Sequence, residues 1–146
     1  MRALIQRVRQ ASVEVNQQVI GQIDRGLLVF FGLAKTDTPQ TAEKLLKKIL
    51  TYRLFSDESG RMNLNLQQVN GGLLLVSQFT LMAETRKGLR PDFGPAMPPD
   101  EARELFSQLV EHAKHIYPKV QTGEFGADMQ VMLQNDGPVT FMLDIE

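Results

Sequence analysis

The stretch "LLLVSQFTL", Leu73 to Leu81, is apolar at each of its first positions and turns polar abruptly at Ser77-Gln78. A strand with one face in water alternates, whereas one that is apolar at every position is buried on both faces. Leu73–Val76 therefore predicts a strand inside a covered sheet, entered through the turn signal Asn70-Gly71-Gly72. Continued at period two, it puts Gln78 and Thr80 on one face and Ser77, Phe79 and Leu81 on the other. An amide and a hydroxyl then stand side by side where a buried strand gives way to a basic loop. Such a pair can satisfy backbone groups at a sheet edge or take part in chemistry, and local pattern leaves both readings open.

Working outward, the segments before this strand also read as β. Arg2 to Val15 fits a long first strand, Asn16-Gln17-Gln18 a turn, and the residues through Ile23 a second strand. "LLVFFGLA", after Gly26, is a third and strongly apolar run. Thr38-Pro39 is a helix start, an N-cap followed by proline at the first helical position, with Ala42, Leu45, Leu46, Ile49 and Leu50 as the buried stripe. "SDESGR" makes a turn, and "RMNLNL" alternates with Met62, Leu64 and Leu66 on one face. Beyond the loop "AETRKGLRPDFGPAMPP", a second helix begins near Pro99 with Ala102, Leu105, Phe106, Leu109, Val110, Ala113 and Ile116 at helical spacing. Pro118 ends it. Strands follow around Val120–Phe125 and Asp128–Gln134, and a last one carries Val139, Phe141, Leu143 and Ile145 on one face. Strands outnumber helices and meet at turns, so the class is α+β: a curved, barrel-like, mainly antiparallel sheet with two packed helices, in a single domain over residues 1–146.

Composition narrows the function. A length of 146 residues with 42% hydrophobic side chains suits one domain with a real core, and no stretch is apolar enough to span a bilayer. The first residues run straight into strand pattern with no signal-peptide core, which makes the cytoplasm the simplest location. The absence of cysteine excludes disulfides, thiol catalysis and cysteine metal sites. A net charge of −1 argues against coating nucleic acid through a broad basic face, but a local cluster suffices to hold an RNA end.

The familiar catalytic sets are missing. His112 and His115 lie three apart on the second helix with no third ligand in any recognisable motif, so they read as solvated histidines rather than a metal pair. "GLRPDFG" and the NGG turn match no phosphate-loop spacing. Arg86, Lys87 and Arg90 put three cations into five residues, kept flexible by Gly88 among them and Pro91 just after. They suit either a phosphate or a solvated loop. Near the C-terminus, Gly137-Pro138 stands at the mouth of the last strand, where proline has no ladder donor and glycine loses the most backbone entropy on being fixed.

Two motifs then coincide: "SQFTL" at Ser77–Leu81 and "NDGPVT" at Asn135–Thr140. With "MRALIQRVRQASVEV", "GLLVFFGLA", "GRMNLNL", "TRKGLRP" and "TGEFGADM", they make essentially the whole chain resemble the D-aminoacyl-tRNA deacylases. The resemblance implies hydrolysis of the ester between a D-amino acid and the terminal ribose of tRNA, by a homodimer with no metal or organic cofactor. It also implies a cis Gly-Pro bond, inserted from each subunit into the other's site. Carried over, the chirality check falls to Gly137 and Pro138, and the catalytic face to Ser77, Gln78, Phe79 and Thr80. Phe125 and Met129 are candidate pocket-lining residues, with a place in the core as Met129's alternative. Arg86, Lys87 and Arg90 are candidate contacts to phosphates of the acceptor end.

A glycine without Cβ lets backbone approach a ligand closely, and the carbonyls of a rigid Gly-Pro unit can serve as fixed acceptors for an α-ammonium. A wall that rejects L-residues through their side chain cannot reject glycine, so glycyl-tRNA is an expected substrate. Two chemical routes stay open. Thr80 attacks as a covalent nucleophile, or water attacks while backbone N–H groups near Phe79 and Thr80 hold the oxyanion and the ribose 2′-hydroxyl assists. The lack of an evident general base favours water. Outside this family, a small RNA-binding module or a general serine or threonine esterase are the rival classes; the latter lacks a G-x-S-x-G elbow.

Overall fold

The computed structural model describes residues 1–146, built as β1 (Arg2–Val15), β2 (Gln18–Ile23), β3 (Gly26–Gly32), α1 (Pro39–Thr51), β4 (Phe55–Ser56), β5 (Met62–Leu64), β6 (Gly72–Ser77), α2 (Pro99–Ile116), β7 (Val120–Thr122) and β8 (Gln130–Asp144). The strand β1 is the hub. One of its edges pairs with β8 along nearly its whole length, while β3 pairs with Arg2–Val8 and β2 with Ala11–Val15, all antiparallel. The sheet continues from β3 to β6 to β7 through parallel pairings. It is therefore mixed. Each parallel step is bridged by a segment carrying a helix, α1 between β3 and β6 and α2 between β6 and β7, which is what parallel neighbours need. At the far side β7 comes back against β2: a Cβ on Gly21 would lie 2.5 Å from the Thr122 carbonyl oxygen, so the sheet is nearly closed into a barrel.

Curling the sheet makes two apolar layers. The larger sets Leu27, Val29, Phe31, Leu73 and Leu75 against Leu45, Leu46 and Ile49 of α1 and Leu105, Phe106 and Leu109 of α2. The smaller fills the barrel with Val8, Ala11, Val13, Ile23, Leu28, Leu74 and Val76. Leu73–Val76 is thus buried on both faces, as its unbroken apolar run requires.

Local chemistry accounts for the ends of the elements. In α1, Thr38 and Thr41 cap reciprocally, the Thr41 N–H donating to Thr38 Oγ1 at 3.3 Å and the Thr38 N–H to Thr41 Oγ1 at 3.4 Å. Asn16 and Gln17 both take positive φ (50° and 66°), the two-residue hairpin turn that matches strand twist. In α2 the stripe is buried through Ala113, but Val110 is only half-buried and Ile116 is exposed at the last turn.

Several strand readings change. The segment after Ser77 is not strand: Phe79–Met82 forms a 3₁₀ turn. The last ladder bond there is from the Gln78 N–H to the Phe31 carbonyl, 2.7 Å, and β3 ends one residue later. Gly32 then admits the turn, since a Cβ there would meet Leu81 and Met82 at 2.9 Å. Secondly, β7 is shorter than Val120–Phe125, and "RMNLNL" yields only the short β5, with Met62 exposed and Leu66 buried. Thirdly, the two C-terminal strands are one, β8, with Gly137-Pro138 inside it. The bulge Asp136–Val139 faces the single residue Arg7 of β1, so the ladder resumes without a proline donor.

Candidate active site

A cavity of about 630 Å³ opens at the mouth of the barrel. Its walls come from the end of β6 (Val76, Ser77), Gln78 and Phe79, the loop from Phe93 to Pro98, the start of α2, and the segment Phe125–Met129 with Val131 of β8. Val76, Met129 and Val131 also belong to the layer inside the barrel, so the cavity is the open end of that layer. The Phe93 loop is stapled to the segment just after β3: the Met97 N–H donates to the Leu33 carbonyl at 2.9 Å, and the Lys35 N–H to the Pro95 carbonyl at 3.4 Å. Phe79 and Phe93 pack at the rim with centroids 5.0 Å apart and planes tilted by 57°. The lining is mostly apolar, and Asp128 is the one ionisable residue in it.

Ser77, Gln78, Phe79, Phe125 and Met129 therefore share one cavity, and Met129 packs on the barrel layer at the same time. Thr80 is exposed beside it. The Gln78 amide donates to Thr80 Oγ1 at 2.5 Å, so the two do stand together, brought there by the 3₁₀ turn rather than by strand alternation. No histidine, lysine or carboxylate hydrogen-bonds to that hydroxyl. Phe79 and Thr80 open the turn, and the first N–H groups of a helical turn lack acceptors within it. His112 and His115 do not line the cavity, and no three His, Asp or Glu side chains are placed to hold a metal ion together.

The basic loop is pinched at its base by reciprocal backbone bonds between Glu84 and Asp92, 2.7 and 3.1 Å. Within it, Arg86 is engaged: its Nε donates to Glu84 Oε1 at 2.9 Å, its Nη2 to Oε2 at 2.7 Å, and its backbone N–H to Oε1 at 2.8 Å. These bonds, the side-chain ones foremost, hold the Glu84 carboxyl down to about 2 and raise the guanidinium above its ordinary value. Lys87 and Arg90 have no such partner.

Gly137 and Pro138 lie outside this chain's own cavity, on the exposed crest of the β8 bulge. Their peptide bond is cis, and Gly137 has φ +119°. Asn135 ties the base of the bulge, accepting from the Val139 N–H at 3.2 Å and donating to Thr140 Oγ1 at 3.0 Å. Arg7 braces it from β1: Nη1 donates to the Leu54 carbonyl at 2.8 Å and Nε to the Asp136 carbonyl at 3.3 Å, with the Asp136 carboxylate 3.5 Å away. Sequence reasoning missed Arg7 and Asp128. Arg7 is one of several polar residues in a long strand, and only its pairing opposite the bulge marks it.

Residues 4–144 match the protein family described as D-Tyr-tRNA(Tyr) deacylase. The chain is 62% identical over 146 residues to the D-aminoacyl-tRNA deacylase of Acinetobacter baumannii strain ACICU, spanning 100% of this chain and 99% of that one. It is 59% identical over 146 residues to the D-aminoacyl-tRNA deacylase of Cellvibrio japonicus strain Ueda107, spanning 100% of both. The solved structure of the "c-Myc DNA Unwinding Element Binding Protein" superposes with TM-score 0.95 at 40% identity, over 100% of this chain and 99% of its own. That of a probable eukaryotic D-amino acid tRNA deacylase shares the fold alone, with TM-score 0.84 at 18% identity over 99% and 98%. A nearly closed mixed barrel with an apolar cavity at its mouth, joined to identity of this extent, defines an enzyme of the hydrolase class, acting on a carboxylic ester. The chain belongs to the D-Tyr-tRNA(Tyr) deacylase family.

Proposed function

We propose that this protein hydrolyses the ester of D-aminoacyl-tRNA, and of glycyl-tRNA, to free amino acid and tRNA, working in the cytoplasm as a homodimer. The observation that carries the reading is the cavity walled by Ser77, Gln78 and Phe79, in a chain 62% identical along its length to a protein named for this activity. The 3′ acceptor end enters there. Gly137 and Pro138 check handedness from the partner subunit. Their exposure on a braced bulge outside their own cavity supports that arrangement. Free edge and exposed Met132, Leu133 and Met142 on β8 offer the apolar surface for the second copy.

Water is the nucleophile in this reading. Thr80 is hydrogen-bonded to Gln78 and has no base to activate it, whereas the N–H groups opening the 3₁₀ turn are available to a developing oxyanion. The tRNA's own ribose hydroxyl assists. Thr80→Ala is then expected to keep most of its single-turnover rate; a drop of about a thousandfold or more would restore the covalent route. Lys87 and Arg90 reach phosphates, with Arg86 setting the loop's shape through Glu84.

The deciding assay compares D-tyrosyl-tRNA, L-tyrosyl-tRNA and glycyl-tRNA with purified protein and chelator present. Loss of the D and glycyl esters with the L ester intact is the expected result. Equal loss of both tyrosyl esters leaves a general esterase. Binding without cleavage favours a second reading, a nucleic-acid-binding module, for which the name of the solved neighbour at 40% identity speaks.

A further inference from the structure

One cation beside the cavity rests on the ring of a lining residue. Arg103 lies in the second turn of α2, next to the lining residue Ala102. Its guanidinium carbon sits 4.9 Å from the centroid of the Phe125 ring, itself a lining residue. A Cβ on Gly126 would come 3.4 Å from its Nη2, so the head group also rests against the cavity rim there. Acidic residues surround it in sequence, Asp100, Glu101 and Glu104 on α2 and Glu124 and Asp128 across from it. None forms an ion pair with it, since the salt bridges of the chain all involve other cations. It has no hydrogen-bond partner, and the Glu104 carboxylate instead accepts from Gln108.

A guanidinium over a ring is held by one face and keeps its N–H groups directed outward in its own plane. That is a pre-ordered fork for a phosphate, with little side-chain freedom left to lose. Arg86 differs, because its fork is already taken by Glu84. Resting on the reading that the acceptor end enters this cavity, we infer that Arg103 binds the phosphodiester on the 5′ side of the terminal nucleotide. With the ester at Ser77–Phe79, that phosphate is the first anion of the RNA to emerge past the rim, and Phe125 holds the guanidinium ready for it.

The test uses D-tyrosyl-tRNA and D-tyrosyl-adenosine, an ester lacking the phosphate, with the full-length protein and its Arg103→Gln and Arg103→Lys variants. Lys114→Gln, near the other end of the same helix and exposed, controls for net charge, and unfolding midpoints check that each variant folds. Arg103→Gln is expected to raise KM for the tRNA roughly fivefold to tenfold with kcat unchanged, and to flatten the salt dependence by about 0.7 of a unit, the value for one single-strand phosphate contact. Arg103→Lys should fall between, and D-tyrosyl-adenosine should be cleaved equally by all. An unchanged KM and salt slope overturns the assignment. Equal damage with D-tyrosyl-adenosine overturns it too, since Arg103 would then act through Phe125. Failure of the unaltered protein to cleave D-tyrosyl-tRNA rejects the underlying reading instead, a result that no comparison of Arg103 variants can mimic.

Discussion

At Glu84, one guanidinium and one backbone N–H converge on a single surface carboxylate. Its value of about 2 lies below the ordinary 4.5, so whatever this clamp adds to loop order is present above that ordinary value and fades as pH falls toward 2. A carbon-detected titration should place the Glu84 midpoint near 2, and Arg86→Gln should return it toward 4.5. Tyr117 works the other way. Its buried hydroxyl donates to the Gly71 carbonyl, and burial raises it above 10.0. Stability from that group is complete below the unfolded value and is lost as pH rises through the folded one. Tyr117→Phe should cost about 1 kcal/mol or somewhat more at neutral pH in urea unfolding, and blunt the alkaline decline. Residue types in "SQFTL" were legible as a polar cluster at the end of a buried strand. Their juxtaposition was not, because it depends on a turn that a two-residue period cannot describe.

Among the elements, the helices were the easiest to read, since each carries its own stripe and its own proline at the start. The β8 bulge was the hardest. Alternation resumes on both sides of Gly137-Pro138, and only the opposite strand reveals that Asp136–Val139 spans the space of Arg7 alone. Gly137 sits there at φ +119°, with Val139 Cγ2 and Arg7 Nη2 at 2.9 and 3.0 Å from any added Cβ. Gly137→Ala should therefore destabilise the fold by about 1–3 kcal/mol in denaturant unfolding and slow deacylation by displacing Arg7 as well. A neutral result on both counts would mean that the bulge is more pliant than its bracing suggests.

For the whole molecule, the parallel pairings of β3, β6 and β7 escaped the sequence reading because adjacency in the chain speaks only for hairpins, while crossovers depend on where the helices dock. The same scale governs assembly. If β8 is the face that meets a second copy, Met132→Lys should shift sedimentation toward monomer and reduce activity together, since a lone chain would lack the crest of its neighbour. Retained activity in a clean monomer would uncouple the two. The continuity of β8 has a metrical consequence. Val131 forms cavity wall and Asn135 anchors the bulge, and nothing but unbroken strand lies between them, about 13 Å at the usual rise. The protein thus carries a calliper whose gauge is counted in residues. Adding a pair of residues to that span would preserve every inward and outward facing, yet set the two jaws about 7 Å farther apart.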